Sequence, residues 1–492
     1  MTVVTFFDAC CKRNETLDRC RKAPDMLLSD FIGLQEEKTN RNRIIPALIS
    51  PEDFFERTAD EAVRLTGEAD AAEAAEAFRT CAVQTADHHG GLFFSQGFQG
   101  DLLYAALLGK LGYQGRYVPI LCCGQVELEN ASFARGFMTV QSPNEKQLFP
   151  VFPAKNSVQM ACKAEPVGQE LTGRFRKRFL GKDSGLPSEL KTTLDRTLKL
   201  MYEDDRGQIM EDPERPGAGY SFSEQITGSG VRLSKELFSG QGPVFLYLEM
   251  EGLVTPLLIR ELKEGKSLFA RLISEDVLRN LLITEKLSDG SCLADVLFRG
   301  ADEKGRKINL TLLKNGKLSG VNWRKEPVVY DADSETLIRL LNERKIFPGV
   351  LAMVCLIFFE RSITWFGGIF QSSYLPEWQE CFVKILRKAG EEELAQHISS
   401  YDCTGYLSGP VFALYRGDGF ATPAGPVEFL QAKPDSAKLM DLLNRTRLSE
   451  AHLMGLTDMY FDLYVRDERT EDWYRLISEE LYKRFPENGV SL

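Results

Sequence analysis

The sequence predicts a mixed α+β protein of several domains, and three observations lead to this prediction. The chain has 492 residues, more than one ordinary hydrophobic core accommodates, so about two to four domains are expected. Helical periodicity marks residues 51–83, 98–111 and 434–486, whereas residues 243–330 and 403–431 contain short alternating runs separated by glycine turns. Apolar residues make up 43% and charged residues 27% of the chain, which is typical of globular proteins.

The N-terminal part is predicted to be helical. Residues 1–40 are loosely amphipathic. In residues 51–83 we expect Ser50 to cap a helix with Pro51 at its first position, because both are favoured there. Gly67 is expected to separate two helices.

Residues 98–111 predict a further helix, because its leucines and alanines fall on one apolar stripe and Gly112 follows it. Three strands and their turns should come next. They are "GRYVPILCCGQVEL", "FARGFMTVQ" and "KQLFPVF".

Composition predicts four regions along the chain. Residues 1–164 form a helical part that runs into a small sheet, and residues 165–242 are a linker or mobile loop because glycine, proline and charge are concentrated there. Residues 243–332, which include "PVFLYLEMEG" and "PLLIRELKEG", are predicted to be an antiparallel sheet. Residues 333–492 form a mainly helical C-terminal domain.

Bulk charge and cysteine usage exclude several functions. The net charge of −11 argues against generic binding to nucleic acid or to an anionic membrane, both of which need a cationic surface. The basic run 174–182 is interpreted as a solvated face. The eleven cysteines show no repeated framework and no signal peptide opens the chain, so we expect reduced thiols and a cytoplasmic protein. The apolar run 346–359 is too short to span a bilayer and predicts a buried helix.

The first candidate site is "HHGGLFFSQGFQGDLLYAALLGKLGYQGRYVPILCCG", residues 88–124. Two histidines and a glycine pair precede an apolar helix, whose N-terminal N–H groups favour an oxyanion or a thiolate. Residues 90–153 resemble the papain-like core of the transglutaminase-like and arylamine N-acetyltransferase group, and this resemblance implies acyl or amide chemistry. The Cys-His-Asp triad of that group is absent, because Phe93 or Gly97 occupies the nucleophile position and the following strands lack His and Asp.

A substitute set of catalytic residues follows from this resemblance. Ser95 is the candidate nucleophile or hydrogen-bond donor, His89 the candidate base and His88 the alternative base. Asp87 would fix a histidine tautomer. The competing interpretation is that His88 and His89 are polar residues at a helix terminus.

The second candidate site is "SITWFGGIFQSSYLPEW", residues 362–378, which joins two predicted helices. Its predicted substrate-binding residues combine aromatic rings, amide and hydroxyl groups with a glycine pair that lets the backbone approach a ligand. They are Trp365, Gly367, Gly368, Gln371 and Tyr374. The competing interpretation is an interdomain loop with aromatic rings packed in a core.

No metal site is predicted. Asp458 and Asp462 lie four residues apart on one helix face, with Glu450 and His452 upstream, and such a set can hold a metal. A di-iron site needs Glu-x-x-His pairs on several helices, which this chain of four histidines lacks, so a solvated helix face is the favoured interpretation. No nucleotide-binding fingerprint is present, and the cofactor stays unknown.

The leading hypothesis is a cytoplasmic protein of small-molecule metabolism that transfers or hydrolyses an acyl or amide group, with a non-standard or lost triad. Its pocket would lie between residues 88–101 and 362–378, and its partner would be a small-molecule or acyl substrate. The alternative is a non-catalytic ligand-binding or protein-assembly factor with a protein partner. A metal-dependent oxygenase on the last helices is a third hypothesis. The sequence does not decide whether the protein is an enzyme.

Overall fold

The computed structural model describes residues 2–85, 94–129, 135–140, 143, 146–202 and 221–485. It confirms the mixed α+β class, because most of its regular structure is helical and the strands are divided among several small sheets. Among the described residues, no helix combines the length and the apolar character that a bilayer crossing requires.

The N-terminal part is helical up to the first strand, as predicted. The helix that covers residues 52–66 ends at Gly67, whose left-handed φ of 69° separates it from the next helix. Its cap is Pro51, one residue later than the expected Ser50. The elements are α1 (Val3–Cys11), α2 (Glu15–Arg21), α3 (Leu28–Asn42), α4 (Glu52–Thr66), α5 (Ala74–Arg79), β1 (Ala82–Gln84), α6 (Ser95–Lys110) and β2 (Tyr117–Cys122).

The middle of the chain alternates between helices and strands. The next elements are β3 (Gly136–Val140), β4 (Lys146–Pro150), α7 (Gln169–Phe175), α8 (Ser188–Tyr202), α9 (Phe222–Leu237), β5 (Val244–Glu249), α10 (Met250–Glu264), α11 (Leu268–Ser274) and α12 (Asp276–Thr284). Then follow β6 (Phe298–Ala301), β7 (Lys307–Leu312), β8 (Lys317–Val321), β9 (Pro327–Asp331), α13 (Ser334–Asn342), β10 (Ile346–Pro348) and α14 (Val350–Val354).

The C-terminal part contains two more strands of the central layer, one hairpin and the last helices. The elements are β11 (Thr364–Gly368), α15 (Gln371–Lys388), α16 (Glu392–Ser399), β12 (Tyr406–Ser408), β13 (Leu414–Arg416), β14 (Ala421–Pro423), α17 (Pro426–Ala432), α18 (Ser436–Arg445), α19 (Leu448–Met454), α20 (Leu456–Leu463) and α21 (Trp473–Arg484).

A layer of parallel strands forms the centre of the fold. β1 pairs in parallel with β11, β11 pairs in parallel with β12, and β2 pairs in parallel with β5. β1 contacts β2, which belongs to a separate two-stranded sheet, so the two sheets adjoin in the spatial order β5-β2-β1-β11-β12. The chain first builds outward from β1 to β2 and β5, and then returns to the other side of β1 to form β11 and β12. The order therefore reverses between β1 and β11.

Both faces of this layer are buried, as is usual for parallel sheets. Successive residues of a strand alternate between two large apolar clusters: Ala82 packs in one cluster and Val83 in the other. The same alternation holds for Phe245 and Leu246 in β5. The surrounding helices supply most of the rest of both clusters, and strands of the smaller sheets also contribute to each cluster.

The antiparallel sheet is smaller than the sequence predicts. Its strands follow the order β10-β6-β7-β8-β9. The first of these strands along the chain, β6, begins at Phe298. "PVFLYLEMEG" contributes instead the parallel strand β5, and "PLLIRELKEG" lies in α10. The helical assignment has a packing reason, because Leu257, Leu258, Glu261 and Leu262 are all buried, and the spacing i, i+1, i+4, i+5 places them on one helix face.

The predicted linker 165–242 contains three packed helices in its described part, which excludes residues 203–220. Ser221 and Glu224 form a capping box that begins α9. One of the glycines that suggested a loop serves helix–strand packing: a Cβ on Gly230 would lie 2.6 Å from the ring of Tyr247 in β5. The prediction of a linker is wrong for these helices.

The small sheet expected after α6 is divided in two. β2 pairs with β5, whereas β3 and β4 form a separate antiparallel hairpin. Residues 346–359 begin with the strand β10 and continue as a buried helix, α14 followed by a π-helical turn at Cys355–Phe359. The four domain boundaries remain predictions.

Candidate functional site

A cavity of about 350 Å³ lies at the carboxyl ends of the parallel strands. Thr85 follows β1, Cys123 follows β2, Met250 follows β5, Ile369 follows β11 and Ser408 ends β12, and all five residues line the cavity. Ligands of open α/β sheets bind in the crevice outside the carboxyl ends of the strands, where the strand order reverses. The cavity occupies this position in the present fold.

The wall of the cavity is mostly apolar with a few polar groups, as is typical of small-molecule sites. Two segments that the sequence predicts to share a pocket both contribute to it, the first through Phe94 and Gln96 and the second through six residues between Trp365 and Tyr374. The lining residues are Thr85, Phe94, Gln96, Cys123, Met250, Val350, Met353, Trp365, Gly368, Ile369, Phe370, Gln371, Tyr374, Ser408 and Asp462.

Residues 362–378 are not the loop that the sequence predicts, because they contain the whole of β11 and the start of α15. The Thr85 backbone N–H donates to the Phe366 carbonyl at 2.8 Å and so extends the pairing of β1 with β11. The Thr85 hydroxyl lies 2.8 Å from the same carbonyl and 3.3 Å from Gln371 Oε1. The rigid sheet thereby positions the Gln371 amide at the cavity.

The two predicted glycines have different surroundings. A Cβ on Gly367 would lie 1.9 Å from Gln371 Oε1, so the absence of a side chain makes room for the Gln371 amide. A Cβ on Gly368 would lie 3.7 Å from the Ser408 carbonyl oxygen, an ordinary contact. Gly368 lines the cavity, whereas Gly367 supports a lining residue.

Two buried N–H donors of the wall have no hydrogen-bond partner among the described residues. They are Trp365 Nε1 and Gln371 Nε2. Trp365 is 2% exposed and Gln371 is 9% exposed. A buried donor without a partner costs free energy of about 1–3 kcal/mol, and a ligand with an oxygen acceptor would recover it.

Asp462 is the carboxyl group in the described part of the wall. Burial, and secondarily the neighbouring Asp458, raise its pKa to about 7. Asp458 lies one helical turn earlier and forms a buried ion pair with Lys146. A carboxyl group with a pKa near neutrality can both donate and accept a proton at physiological pH.

Ser95 forms hydrogen bonds with both members of this ion pair and does not line the cavity. Its hydroxyl donates to Asp458 Oδ2 at 2.7 Å and lies 3.1 Å from Lys146 Nζ. The side chain is 1% exposed. The predicted bases His88 and His89 lie outside the described residues, as does Asp87, so the proposed Ser–His pairing remains a prediction.

A second carboxyl group lies behind the wall. Glu251 accepts hydrogen bonds from the backbone N–H groups of Gly124 and Gln125, at 2.8 and 3.0 Å. Cys123 Sγ lies 3.5 Å from Glu251 Oε1. Burial raises the pKa of Glu251 to about 7 and raises that of the Cys123 thiol well above its usual value. The thiol is therefore a hydrogen-bond donor and not a thiolate.

The structure places several predicted residues together and reveals others that sequence reasoning missed. Trp365, Gly368, Gln371 and Tyr374 share the cavity with Phe94 and Gln96. The missed residues are Thr85, Cys123, Ser408 and Asp462. The signal that could have found the first three is their position directly at the end of a strand, but this signal requires knowing which strands are parallel.

Two of the four residues considered for metal binding are otherwise engaged. Asp458 pairs with Lys146, and His452 Nε2 lies 3.0 Å from the Tyr406 hydroxyl in a fully buried position. Within the ranges that the structure describes, no group of three or more His, Cys, Asp or Glu side chains is arranged to hold a metal ion.

Comparison with known proteins gives no relative for this chain. No family model, no curated protein and no solved structure matches it.

Proposed function

We propose that the protein binds a small metabolite in the cavity at the carboxyl ends of its parallel strands. The observation that supports this proposal is the position of the cavity between β1 and β11, where the strand order reverses, together with the two unpartnered donors Trp365 Nε1 and Gln371 Nε2. N–H donors bind oxygen acceptors, so the ligand carries a carbonyl or a more strongly accepting oxygen group.

Transfer or hydrolysis of an acyl or amide group is the reaction that we propose for this ligand. A carbonyl oxygen fits the two donors, and Asp462 supplies a carboxyl group that can exchange a proton near neutral pH. The eleven cysteines are all free, which supports a reducing compartment such as the cytoplasm. A non-catalytic binding protein would use the same cavity without turnover of its ligand.

Binding of benzamide tests the proposal, because this probe combines a ring that fits an apolar cavity with an amide oxygen. Ligand-observed NMR on the full chain should detect it. Trp365→Phe keeps a ring but removes the N–H, and should weaken binding about fivefold, the contribution of one neutral hydrogen bond. Trp323→Phe is the matched control, because Trp323 is 63% exposed and remote from the cavity wall. Equal affinities in both variants would contradict the proposal.

A further inference from the structure

The start of α6 and the start of α15 both lie at the cavity. Phe94 precedes α6 and Phe370 precedes α15, and both residues line the wall. Neither helix has an acidic residue in its first turn or a side-chain cap. The N-terminal ends of helix dipoles favour a negative group. At α6 the Asp458 carboxylate already accepts a hydrogen bond from Ser95, so the open end at the wall is that of α15. α10 differs, because Glu251 in its first turn already provides a carboxylate.

The unpartnered side chains of the wall point to the same ligand chemistry. Trp365 Nε1 and Gln371 Nε2 are donors, and both side chains are at least nine-tenths buried. A carboxylate offers two oxygens that accept strong charge-assisted hydrogen bonds. The donor set and the start of α15 together favour a carboxylate over a neutral carbonyl group.

Asp462 opposes such a ligand when it is ionised, because two carboxylates in a cavity repel each other. It is the only carboxyl group among the described lining residues, none of which is Lys, Arg or His. No hydrogen bond or ion pair within the described part of the chain engages its carboxyl oxygens. Once protonated, Asp462 becomes a further donor to the ligand.

We propose that the ligand of this cavity is a small carboxylate, and that Asp462 takes up one proton from solvent as the carboxylate binds. The neutral Asp462 carboxyl group donates its O–H to a ligand oxygen, beside the donors Trp365 and Gln371. This inference rests on the proposed function, since it specifies the ligand of the same cavity.

The direction of the pH dependence follows from the groups that face Asp462. Asp458 of the same helix raises its pKa, whereas Lys146 of β4 and Arg469 lower it. Charged residues of the adjacent elements are engaged with each other, namely Arg13 with Glu468 and Arg475 with Asp472 and Glu479. Because burial outweighs these charges, the free protein holds the proton below about pH 7 and loses it above. Carboxylate affinity should therefore be constant below about pH 7 and fall about tenfold per pH unit above it.

Benzoate and benzamide are matched probes, since benzoate stays an anion and benzamide stays neutral across this range. Their affinities for the full-length protein should be measured at pH 6, 7 and 8. Benzoate should lose close to tenfold in affinity at the highest pH, whereas benzamide should bind equally at all three. Asp462→Asn keeps the side chain neutral and should lose most of the pH dependence of benzoate binding, leaving only the part that ionisation of Glu251 behind the wall contributes. Asp467→Asn is the control, because this exposed carboxyl group lies outside the wall and should leave the slope intact.

The outcomes separate this inference from the proposed function. Benzamide binding without benzoate binding at pH 6 would overturn the inference and leave the proposed function standing, whereas failure of both probes would count against both. A flat benzoate profile in the parent protein, or an unchanged slope in Asp462→Asn, would also overturn the inference. Calorimetry of the parent in two buffers of different ionisation enthalpy gives an independent readout if the variant does not fold. Net proton uptake on benzoate binding at pH 8 supports the inference, and its absence overturns it.

Discussion

The hydroxyl of Thr85 lies 3.3 Å from the amide oxygen of Gln371, and this contact joins the end of β1 to the start of α15. The two residues are 286 positions apart in the chain. The contact crosses the point where the strand order reverses, so the cavity wall depends on the pairing of β1 with β11. The backbone bond from Thr85 to Phe366 fixes this pairing at the wall itself.

Gly367→Ala should displace the Gln371 amide from the cavity wall. The new Cβ would lie 1.9 Å from Gln371 Oε1, so the side chain must move away from Thr85. We expect benzamide affinity to fall about fivefold, and the free energy of unfolding to fall by about 1–3 kcal/mol as in other overpacked sites. Gly33→Ala is the control, because a Cβ there would meet no atom within 4 Å and Gly33 lies outside the cavity wall. Equal ligand affinities for the two variants, measured by NMR titration, would show that the Gln371 amide does not bind the ligand.

Local sequence signals predicted elements whose ends are set by nearby residues. α4 ends at Gly67 because only a left-handed residue continues the chain there, and α6 follows its apolar stripe. Non-local packing decided the elements that were predicted wrongly. "PLLIRELKEG" is predicted as a strand, yet its Leu, Arg, Glu and Lys residues favour a helix. The apolar face of this helix packs against other elements, and Glu261 on that face pairs with the buried Arg361.

The candidate site could be predicted only in part for the same reason. The mixture of aromatic and amide groups around Trp365 and Gln371 was readable from the local sequence. The contributions of Thr85 and Cys123 depend on the parallel pairing of strands far apart in sequence, and β1 has only three residues, too few for a periodic pattern. Asp462 was interpreted as part of a solvated helix face, but it lines the cavity and burial raises its pKa.

Ser95→Ala tests whether Ser95 is structural or catalytic. The substitution removes a hydrogen bond to the buried Asp458, so we expect the free energy of unfolding to fall by about 1–3 kcal/mol. Benzamide affinity should stay unchanged, because Ser95 does not line the cavity. Urea denaturation and NMR titration measure these two quantities. Ser399→Ala, on an exposed helix surface, is the control for loss of a serine hydroxyl. Unchanged stability together with lost turnover of a substrate would instead support the predicted nucleophile.

Lys146→Met should destabilise the protein by about 3 kcal/mol, since it leaves the buried Asp458 carboxylate without its cation. The double variant Lys146→Met/Asp458→Asn should recover part of this loss, because the uncompensated charge is then removed as well. Lys317→Met provides a matched control, since Lys317 and Asp331 form an exposed pair that contributes at most about 1 kcal/mol. Urea denaturation of the four proteins at pH 7 measures the differences. Equal losses of unfolding free energy in Lys146→Met and Lys317→Met would show that Asp458 does not depend on Lys146 for its charge balance.

His452 should make the protein sensitive to acid. Among the described residues no charged side chain pairs with the fully buried ring, and burial lowers its pKa to about 3. Its Nε2 lies 3.0 Å from the Tyr406 hydroxyl, which in turn lies 2.8 Å from Cys20 Sγ. The neutral ring and the Tyr406 hydroxyl therefore share a hydrogen bond, whose direction is set by the histidine tautomer.

The direction of this pH dependence follows from the protonation of His452 in the folded and the unfolded protein. Between about pH 6.5 and pH 3 the unfolded chain binds a proton on His452 that the folded protein excludes, so stability is lost as the pH falls through this window. At pH 5 this loss should amount to about 2 kcal/mol relative to pH 7. His452→Gln keeps an acceptor for Tyr406 but does not titrate. Urea denaturation of both proteins at the two pH values isolates the histidine, because every other titrating group is common to both and cancels in the difference. The parent should be more stable than His452→Gln at pH 7, and this difference in the free energy of unfolding should shrink by about 2 kcal/mol at pH 5. A difference of the same size at both pH values would show that the folded protein protonates His452 as readily as the unfolded chain does.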